Sequence, residues 1–190
     1  VMIQCVESRT KSRAYCSRVC CSQAVKNALI IKEKNPAADV FILYRDVRTY
    51  GFREKYYRQA REKGIRFIRY AETQNPELFA DKDSLLVSVH DSVLNVDLKI
   101  KCDLVALSVP ITPDNEVEGL AQKLKVPLNQ DKFFLEAHLK LRPVDFSSDG
   151  IFLCGLAHYP KSIEESIAQA QAAAARAATI LAKETIELDG

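Results

Sequence analysis

The apolar run VFILY at residues 40–44 is the feature that most narrows the folds open to this chain. A strand that is apolar at every position must be buried on both faces, as in a parallel sheet. A second apolar run spans residues 1–6, and between the two lies a helical pattern at 15–34 that Asn35-Pro36 ends. This strand–helix–strand order predicts a βαβ unit.

The rest of the chain predicts a mixed α/β fold in two parts, residues 1–112 and 113–190. Alternation of apolar and polar side chains at 96–103 indicates a half-exposed antiparallel strand, whereas residues 75–84 are polar and predict a turn. The capping box Ser162…Glu165 opens the last helix. The further predicted elements are helices at 52–63, 116–125 and 162–183, and strands at 66–70, 85–90, 104–109, 133–139 and 151–154.

Composition excludes several function classes. Only six glycines are present, and none stands in a dinucleotide-binding or P-loop arrangement. The segment 45–70 has nine Lys or Arg against three acids, but the whole chain has a net charge of only +2, so nucleic acid is not a predicted partner. No apolar stretch is long enough to span a membrane, and no leader pattern opens the chain, so a cytoplasmic location is predicted.

Four of the six cysteines fall within the first 21 residues, in the spacing C-x10-C-x3-C-C. If residues 16–21 are helical, Cys16 and Cys20 share one helix face, and Cys21 points about 100° away. Cys5 lies at the C-terminal end of the predicted first strand, at the sheet edge where ligands of α/β proteins gather. The spacing therefore predicts that the four thiols converge near the start of the first helix.

Several interpretations of this convergence remain open. An iron–sulfur cluster is bound by four thiolates, and several sequence spacings are known to serve. A structural zinc site normally uses two closely spaced pairs of cysteines, and only Cys16 and Cys20 form such a pair here. Disulfides are disfavoured outside an oxidising compartment, and small core cysteines are the plainest alternative. Nearby cations would stabilise thiolates: Arg9, Lys11, Arg13 and Arg18. No Ser-His-Asp or paired-carboxylate set occurs, so no catalytic residue is predicted.

The chain resembles the iron–sulfur flavoprotein subunit of heterodisulfide reductase along essentially all 190 residues. The resemblance rests on the following runs: IQCV at 3–6, YCSRVCC at 15–21, ILYRD at 42–46, RTYG at 48–51, GIFLCGLAH at 150–158 and PKSIEESI at 160–167. The cysteine motif is specific to that family, and the tail is a variant of one shared with thioredoxin-reductase-like flavoproteins.

This resemblance implies an electron-transfer part of a heterodisulfide-reductase-type oxidoreductase, with a [4Fe–4S] cluster beside an FAD. Residues 1–112 would be an NAD(P)-domain-like unit whose phosphate loop is replaced by cluster ligands, and 113–190 the C-terminal half of a split FAD-binding domain. The implied cluster ligands are Cys5, Cys16, Cys20 and Cys21. The implied flavin neighbours are Lys26, Gly155, Leu156, Ala157, His158, Ser162 and Ile163. Implied partners are other subunits of a heterodisulfide reductase or hydrogenase complex, and ferredoxin.

Some positions depart from the family pattern. Glu7 and Tyr159 stand where relatives have glycine, and Leu156 stands where flavoproteins commonly have an acid. The chain starts at Val1 directly on an apolar run, so we expect a fragment that needs a missing N-terminal half to bind FAD and is inactive alone. The alternative functions are a zinc-stabilised subunit-docking module without redox activity, and a relay of thiols that are themselves oxidised and reduced.

Overall fold

The computed structural model of the chain describes residues 1–81 and 84–185. It divides into two compact units, the first ending at Pro110 and the second beginning at Ile111. The strands are β1 (Met2–Ile3), β2 (Phe41–Tyr44), β3 (Arg66–Arg69), β4 (Glu77–Asp81), β5 (Ser84–Asp91), β6 (Val96–Cys102) and β7 (Ala106–Leu107). The helices are α1 (Cys20–Lys34), α2 (Glu54–Glu62), α3 (Val117–Leu124) and α4 (Ile163–Leu181).

The first unit contains one parallel and one antiparallel sheet. The parallel sheet has the order β3-β2-β1-β7, with α1 joining β1 to β2 as the βαβ pattern predicts. Strand β2 is buried on both faces: Ile42 packs in a cluster with Ala28 of α1, and Leu43 packs in a second cluster with Val87 of β5. The parallel strand predicted from the apolar run is confirmed.

The antiparallel sheet has the order β4-β5-β6. Strand β6 pairs with β5 along its whole length, from Val96 opposite Asp91 to Cys102 opposite Leu85. The prediction of a turn over residues 75–84 is wrong in part, because β4 pairs there with β5 from Glu77 to Asp81. The polar residues that flank Leu78, Phe79 and Ala80 suggested a turn, but pairing of this edge strand with β5 makes the segment a strand.

Helix α1 begins five residues later than predicted, at Cys20. Arg18 has a φ of 66°, a left-handed conformation that a right-handed helix excludes. Cys16 therefore lies in the loop before the helix and does not share a helix face with Cys20. The convergence of the thiols depends on the path of this loop.

The second unit packs α3 and α4 with irregular chain. Its core consists of Ala121, Val126, Phe134, Phe146 and Leu153. The capping box is confirmed, since Ser162 Oγ accepts from the Glu165 amide at 3.2 Å and Glu165 Oε2 accepts from the Ser162 amide at 2.8 Å. Within the described residues, no helix is both long and apolar enough to cross a bilayer.

The two strands predicted at 133–139 and 151–154 are wrong. These residues make only isolated bridges, such as Leu128 with Phe134 and Asp145 with Phe152. The backbone amides of the first segment bond to scattered acceptors, the Phe134 amide to Ala157 O and the Ala137 amide to Asp145 O. Without one continuous partner strand, an apolar run forms no ladder.

Candidate functional site

The four N-terminal cysteines lie at the end of the parallel sheet where β1 and β2 finish. Cys5 is two residues beyond β1, Cys16 is in the following loop, and Cys20 and Cys21 open α1. The Cys21 thiol donates to the backbone carbonyl of Asp46, two residues beyond β2, at 3.5 Å. Cys16 Sγ accepts from the Arg18 amide at 3.2 Å.

The four thiols influence one another electrostatically. Burial raises the pKa of Cys21 to about 11, and the nearby thiols of Cys5, Cys16 and Cys20 each contribute to that rise. Burial also raises the pKa of Cys20, with further contributions from Cys16 and Cys5. In the metal-free chain, negative charge on one thiol therefore opposes ionisation of the next. All six cysteines are free thiols.

Arg9 provides positive charge next to this group. Its Nη2 lies 2.6 Å from Asp46 Oδ2. Although burial opposes its charge, the hydrogen bond to Asp46 and the proximity of the Cys5 thiol raise the pKa of Arg9. Burial opposes ionisation of Asp46 as well, but the Arg9 guanidinium lowers the pKa of this carboxyl.

Several buried polar atoms around the thiols lack a hydrogen-bond partner. In the described part of the chain five buried side-chain nitrogen or oxygen atoms are unpartnered, and four are in this region: Gln4 Nε2, Arg9 Nη1, Ser22 Oγ and Arg45 Nε. Gln4 precedes Cys5 and Ser22 follows Cys21, while Arg45 donates to Arg9 O at 2.8 Å. Three of these atoms are N–H donors, so the region is short of acceptors.

The thiols do not form a pocket for a single metal ion. Among residues 1–81 and 84–185, no three His, Cys, Asp or Glu side chains are arranged to hold one ion. A [4Fe–4S] cluster places one thiolate on each of four irons, so it separates its ligands more widely than one ion does.

The loop that carries the first two cysteines has an unusual backbone. Cys5, Glu7, Arg9 and Arg18 have φ values of 60°, 53°, 59° and 66°. Each left-handed non-glycine residue costs on the order of 1 kcal/mol. Glu7, one of the two positions where the family resemblance implies glycine, adopts a conformation that favours glycine, whereas Tyr159, the other, is not among the residues with positive φ.

The flavin neighbours predicted in the second unit surround a turn at Gly155–Ala157. Gly155 has a φ of 68°, which glycine adopts without steric cost. Leu156 and Ala157 line a cavity of about 880 Å³ together with Phe133 and Phe134. Gly155, His158, Ser162 and Ile163 are not among its lining residues. Ile163, at the first position of α4, is 78% exposed.

His158 bonds to other side chains of the second unit. Its Nε2 lies 2.9 Å from Glu136 Oε2, and its Nδ1 lies 2.6 Å from Gln169 Nε2. Sequence reasoning missed Glu136 and Gln169. The spacing of Ser162, Ser166 and Gln169, which are four and three residues apart, is the signal that puts Gln169 on one helix face with the cap.

Lys26, in the first unit, is on the exposed side of α1. It lines a cavity of about 430 Å³ between α1 and α2, whose wall also includes Val25, Thr49 and Tyr56. Its predicted contact with a flavin remains a prediction.

The fold is similar to those of solved flavin oxidoreductases. Thioredoxin reductase of T. acidophilum matches with a TM-score of 0.56 and 15% identity, over 95% of this chain and 51% of that chain. Sulfide:quinone oxidoreductase of Aquifex aeolicus matches with a TM-score of 0.53 and 12% identity, over 95% of this chain and 42% of that chain. The predicted α/β fold class is confirmed, and the fold is similar to that of thioredoxin reductase. No family model matches the chain.

Curated proteins of much higher sequence identity are similar to the chain as well. An iron–sulfur subunit of the CoB–CoM heterodisulfide reductase of Methanopyrus kandleri is 45% identical over 186 residues, which are 95% of this chain and 28% of that protein. The corresponding subunit of the ferredoxin:CoB-CoM heterodisulfide reductase of Methanosarcina acetivorans is 42% identical over 192 residues, covering 100% of this chain and 24% of that protein. The chain is thus homologous, over nearly its whole length, to one segment of this heterodisulfide reductase subunit, and spans about a quarter of these relatives.

Proposed function

We propose that the chain is the electron-transfer segment of a heterodisulfide-reductase-type oxidoreductase, with a [4Fe–4S] cluster on Cys5, Cys16, Cys20 and Cys21 and an FAD at the second unit. One observation supports the cluster assignment: the four cysteines belong to the segments at one end of the parallel sheet, their thiols influence one another's pKa values, and buried donors in the same region lack acceptors. The name of the Methanopyrus kandleri relative, an iron–sulfur subunit, supports the same assignment.

The residues around the thiols fit a cluster better than a single ion. Thiolates and inorganic sulfides accept hydrogen bonds, and unpartnered donors such as Arg9 Nη1 and Gln4 Nε2 are suited to supply them. The positive charge of Arg9 offsets part of the negative charge of four thiolates. When bound, the cluster supplies one-electron transfer, and hydrogen bonds to its sulfurs tune the potential.

The chain's own residues hold and desolvate this group. Asp46 orients the Arg9 guanidinium, and the Asp46 carbonyl accepts from Cys21 in the metal-free state. Because thiols must lose protons to bind metal, and burial raises the pKa of Cys20 and Cys21, assembly releases protons.

The second unit supplies part of an FAD site in this proposal. Leu156 and Ala157 would contact the flavin along the 880 Å³ cavity, and Gly155 allows close approach of the backbone. Ser162 and Ile163 begin α4, whose N-terminal dipole favours a reduced, anionic ring. Lys26 and His158 complete the proposed flavin neighbours. FAD supplies two-electron chemistry, and tight binding requires the domain half outside this chain.

The proposed context is a cytoplasmic complex. The relatives are subunits of heterodisulfide reductases, and ferredoxin appears in the name of the Methanosarcina acetivorans protein. We infer partner subunits of that kind for this chain and ferredoxin as an electron donor or acceptor. The proposed roles are the cluster for residues 1–112 and the flavin for 113–190.

Anaerobic reconstitution with iron and sulfide tests the cluster assignment. We expect about four irons and four sulfides per chain and a brown absorption that bleaches on reduction. Cys20→Ser should lower iron content and bleachable absorption, whereas Cys102→Ser should leave both unchanged, since Cys102 bonds to Leu85 O in β5. A colourless chain that binds zinc in place of iron would overturn the proposal in favour of a zinc-stabilised docking module.

A further inference from the structure

Three consecutive hydrogen bonds link Gly155 to the side chains around it. The Gly155 amide donates to Gln169 Oε1 at 2.9 Å. Gln169 Nε2 lies 2.6 Å from His158 Nδ1, and His158 Nε2 lies 2.9 Å from Glu136 Oε2. The His158 and Glu136 side chains are only 18% and 9% exposed, so water competes little for these groups.

The chemistry of the groups determines the direction of every bond. A backbone N–H can only donate, so Gln169 must present its oxygen to Gly155 and its NH2 group to His158. His158 Nδ1 must therefore accept and carry no proton. The ring proton is then on Nε2, where it is donated to the Glu136 carboxylate.

We infer that Gln169, His158 and Glu136 are positioning residues for the Gly155–Ala157 turn, and that the hydrogen bond from the Gly155 amide to Gln169 is kept only while His158 is the neutral Nε2–H tautomer. This inference deepens the flavin proposal, because the same turn brings Leu156 and Ala157 to the proposed flavin cavity. The inference rests on the proposed function only in taking flavin as the ligand of this cavity.

The hydrogen bonds from Gly155 through Gln169 and His158 to Glu136 form a relay, and protonation of His158 breaks it. A proton on Nδ1 would face the NH2 group of Gln169, and rotating the amide would turn that NH2 toward the Gly155 N–H. Either arrangement opposes two donors, and rotation of the amide, which relieves the clash with the protonated Nδ1, takes the acceptor away from the Gly155 amide. The charged groups facing this network are the Glu136 carboxylate and the Lys161 ammonium, which donates to Gly155 O at 2.7 Å and to Tyr159 O at 3.1 Å.

Nitrogen-15 NMR of the His158 ring, on the full chain without flavin, tests the tautomer. We expect a protonated Nε2 and an unprotonated Nδ1 while the ring is neutral. Hydrogen exchange of the Gly155 amide should speed up about tenfold as His158 takes up its second proton. An Nδ1–H tautomer, or Gly155 exchange that does not respond to this titration, would overturn the inference.

Gln169→Glu provides a second test with a matched control. The carboxylate accepts both from the Gly155 amide and from a protonated His158 Nδ1, so Gly155 exchange should change less than about twofold across the titration, which should itself move to higher pH. Gln171→Glu adds the same charge to an exposed position of α4 and should behave like the original chain. Equal effects of the two variants would show a general charge effect and contradict the relay.

Because no flavin is present in these measurements, the two proposals fail separately. Finding the Nδ1–H tautomer would refute the inference about His158 without refuting the proposal that the second unit binds flavin. A complete subunit that binds no flavin would leave the relay intact.

Discussion

Arg9 Nη2 lies 2.6 Å from Asp46 Oδ2, and this ion pair joins the loop after β1 to the end of β2. The same Asp46 accepts from the Cys21 thiol through its backbone carbonyl. Arg9 also interacts with the thiol of Cys5. Asp46 therefore connects two of the segments that supply the proposed cluster ligands.

Removing the charge of Arg9 should weaken the cluster. For Arg9→Gln we expect the reconstituted cluster to be lost about tenfold faster to a chelator, because a residue next to the ligands typically contributes about 10–100-fold in metal affinity. Arg48→Gln is the control: Arg48 pairs with the same carboxylate at 3.7 Å but is more exposed, so its loss rate should change about twofold or less. Equal effects of both variants would show that only total charge matters.

Replacing Glu7 by glycine should stabilise the chain. Glu7 is exposed and has a φ of 53°, so Glu7→Gly removes steric cost without removing buried contacts. We expect the free energy of unfolding in urea to rise by up to about 1 kcal/mol. Glu7→Ala retains the β-carbon and should give no such gain. A gain of the same size for both variants would attribute the effect to the lost charge.

The metal-free chain should lose stability at alkaline pH through Cys21. Its pKa is 9.0 in the unfolded chain and about 11 in the folded one. The unfolded state therefore releases this proton first, so the contribution of Cys21 is complete below pH 9 and falls as pH rises toward 11. We expect a loss of order 2 kcal/mol, measured by urea unfolding under reducing conditions.

Cys21→Ala provides the reference for this pH profile. Cys20, Tyr44 and Tyr70 also have raised pKa values and titrate in the same alkaline range. Only the difference in unfolding free energy between the original chain and Cys21→Ala, measured at each pH, reports the ionisation of Cys21. Parallel profiles would mean that the Cys21 thiol ionises equally easily in both states.

Removing the cap of α4 should destabilise the second unit. Ser162→Ala removes the acceptor of the Glu165 amide, and we expect a loss of about 1 kcal/mol in the free energy of unfolding. Ser162→Asp retains a capping oxygen and should remain close to the original chain. If alanine and aspartate gave equal stability, the hydroxyl would have no capping role.

Much of the fold followed from local pattern. The apolar run that became β2, the alternation that became β6 and the capping box before α4 each have one favourable arrangement. Some errors lie where hydrogen-bond partners are distant in sequence. Residues 133–139 have apolar positions typical of a strand, yet their amides bond to separate segments of the chain and no ladder forms.

The candidate site likewise has a part that the sequence predicted and a part that it did not. The cysteine spacing predicted a group of thiols, but the helical geometry assumed for Cys16 was wrong because Arg18 turns the loop left-handed. The motif around His158 indicated a flavin neighbour, whereas the side chains that hold this ring are 22 residues before it and 11 after it. Such distant contacts have no signature in a single sequence.

By itself the sequence determined the residue types and their order: a βαβ unit, four closely spaced thiols and a capped final helix. Side-chain periodicity and capping depend on neighbours a few residues apart, so they can be inferred from the order alone. Only the tertiary structure decided that Asp46 meets Arg9, that donors around the thiols lack acceptors, and that Gln169 meets His158. These contacts depend on how loops close and how elements pack, and those are properties of the whole folded unit.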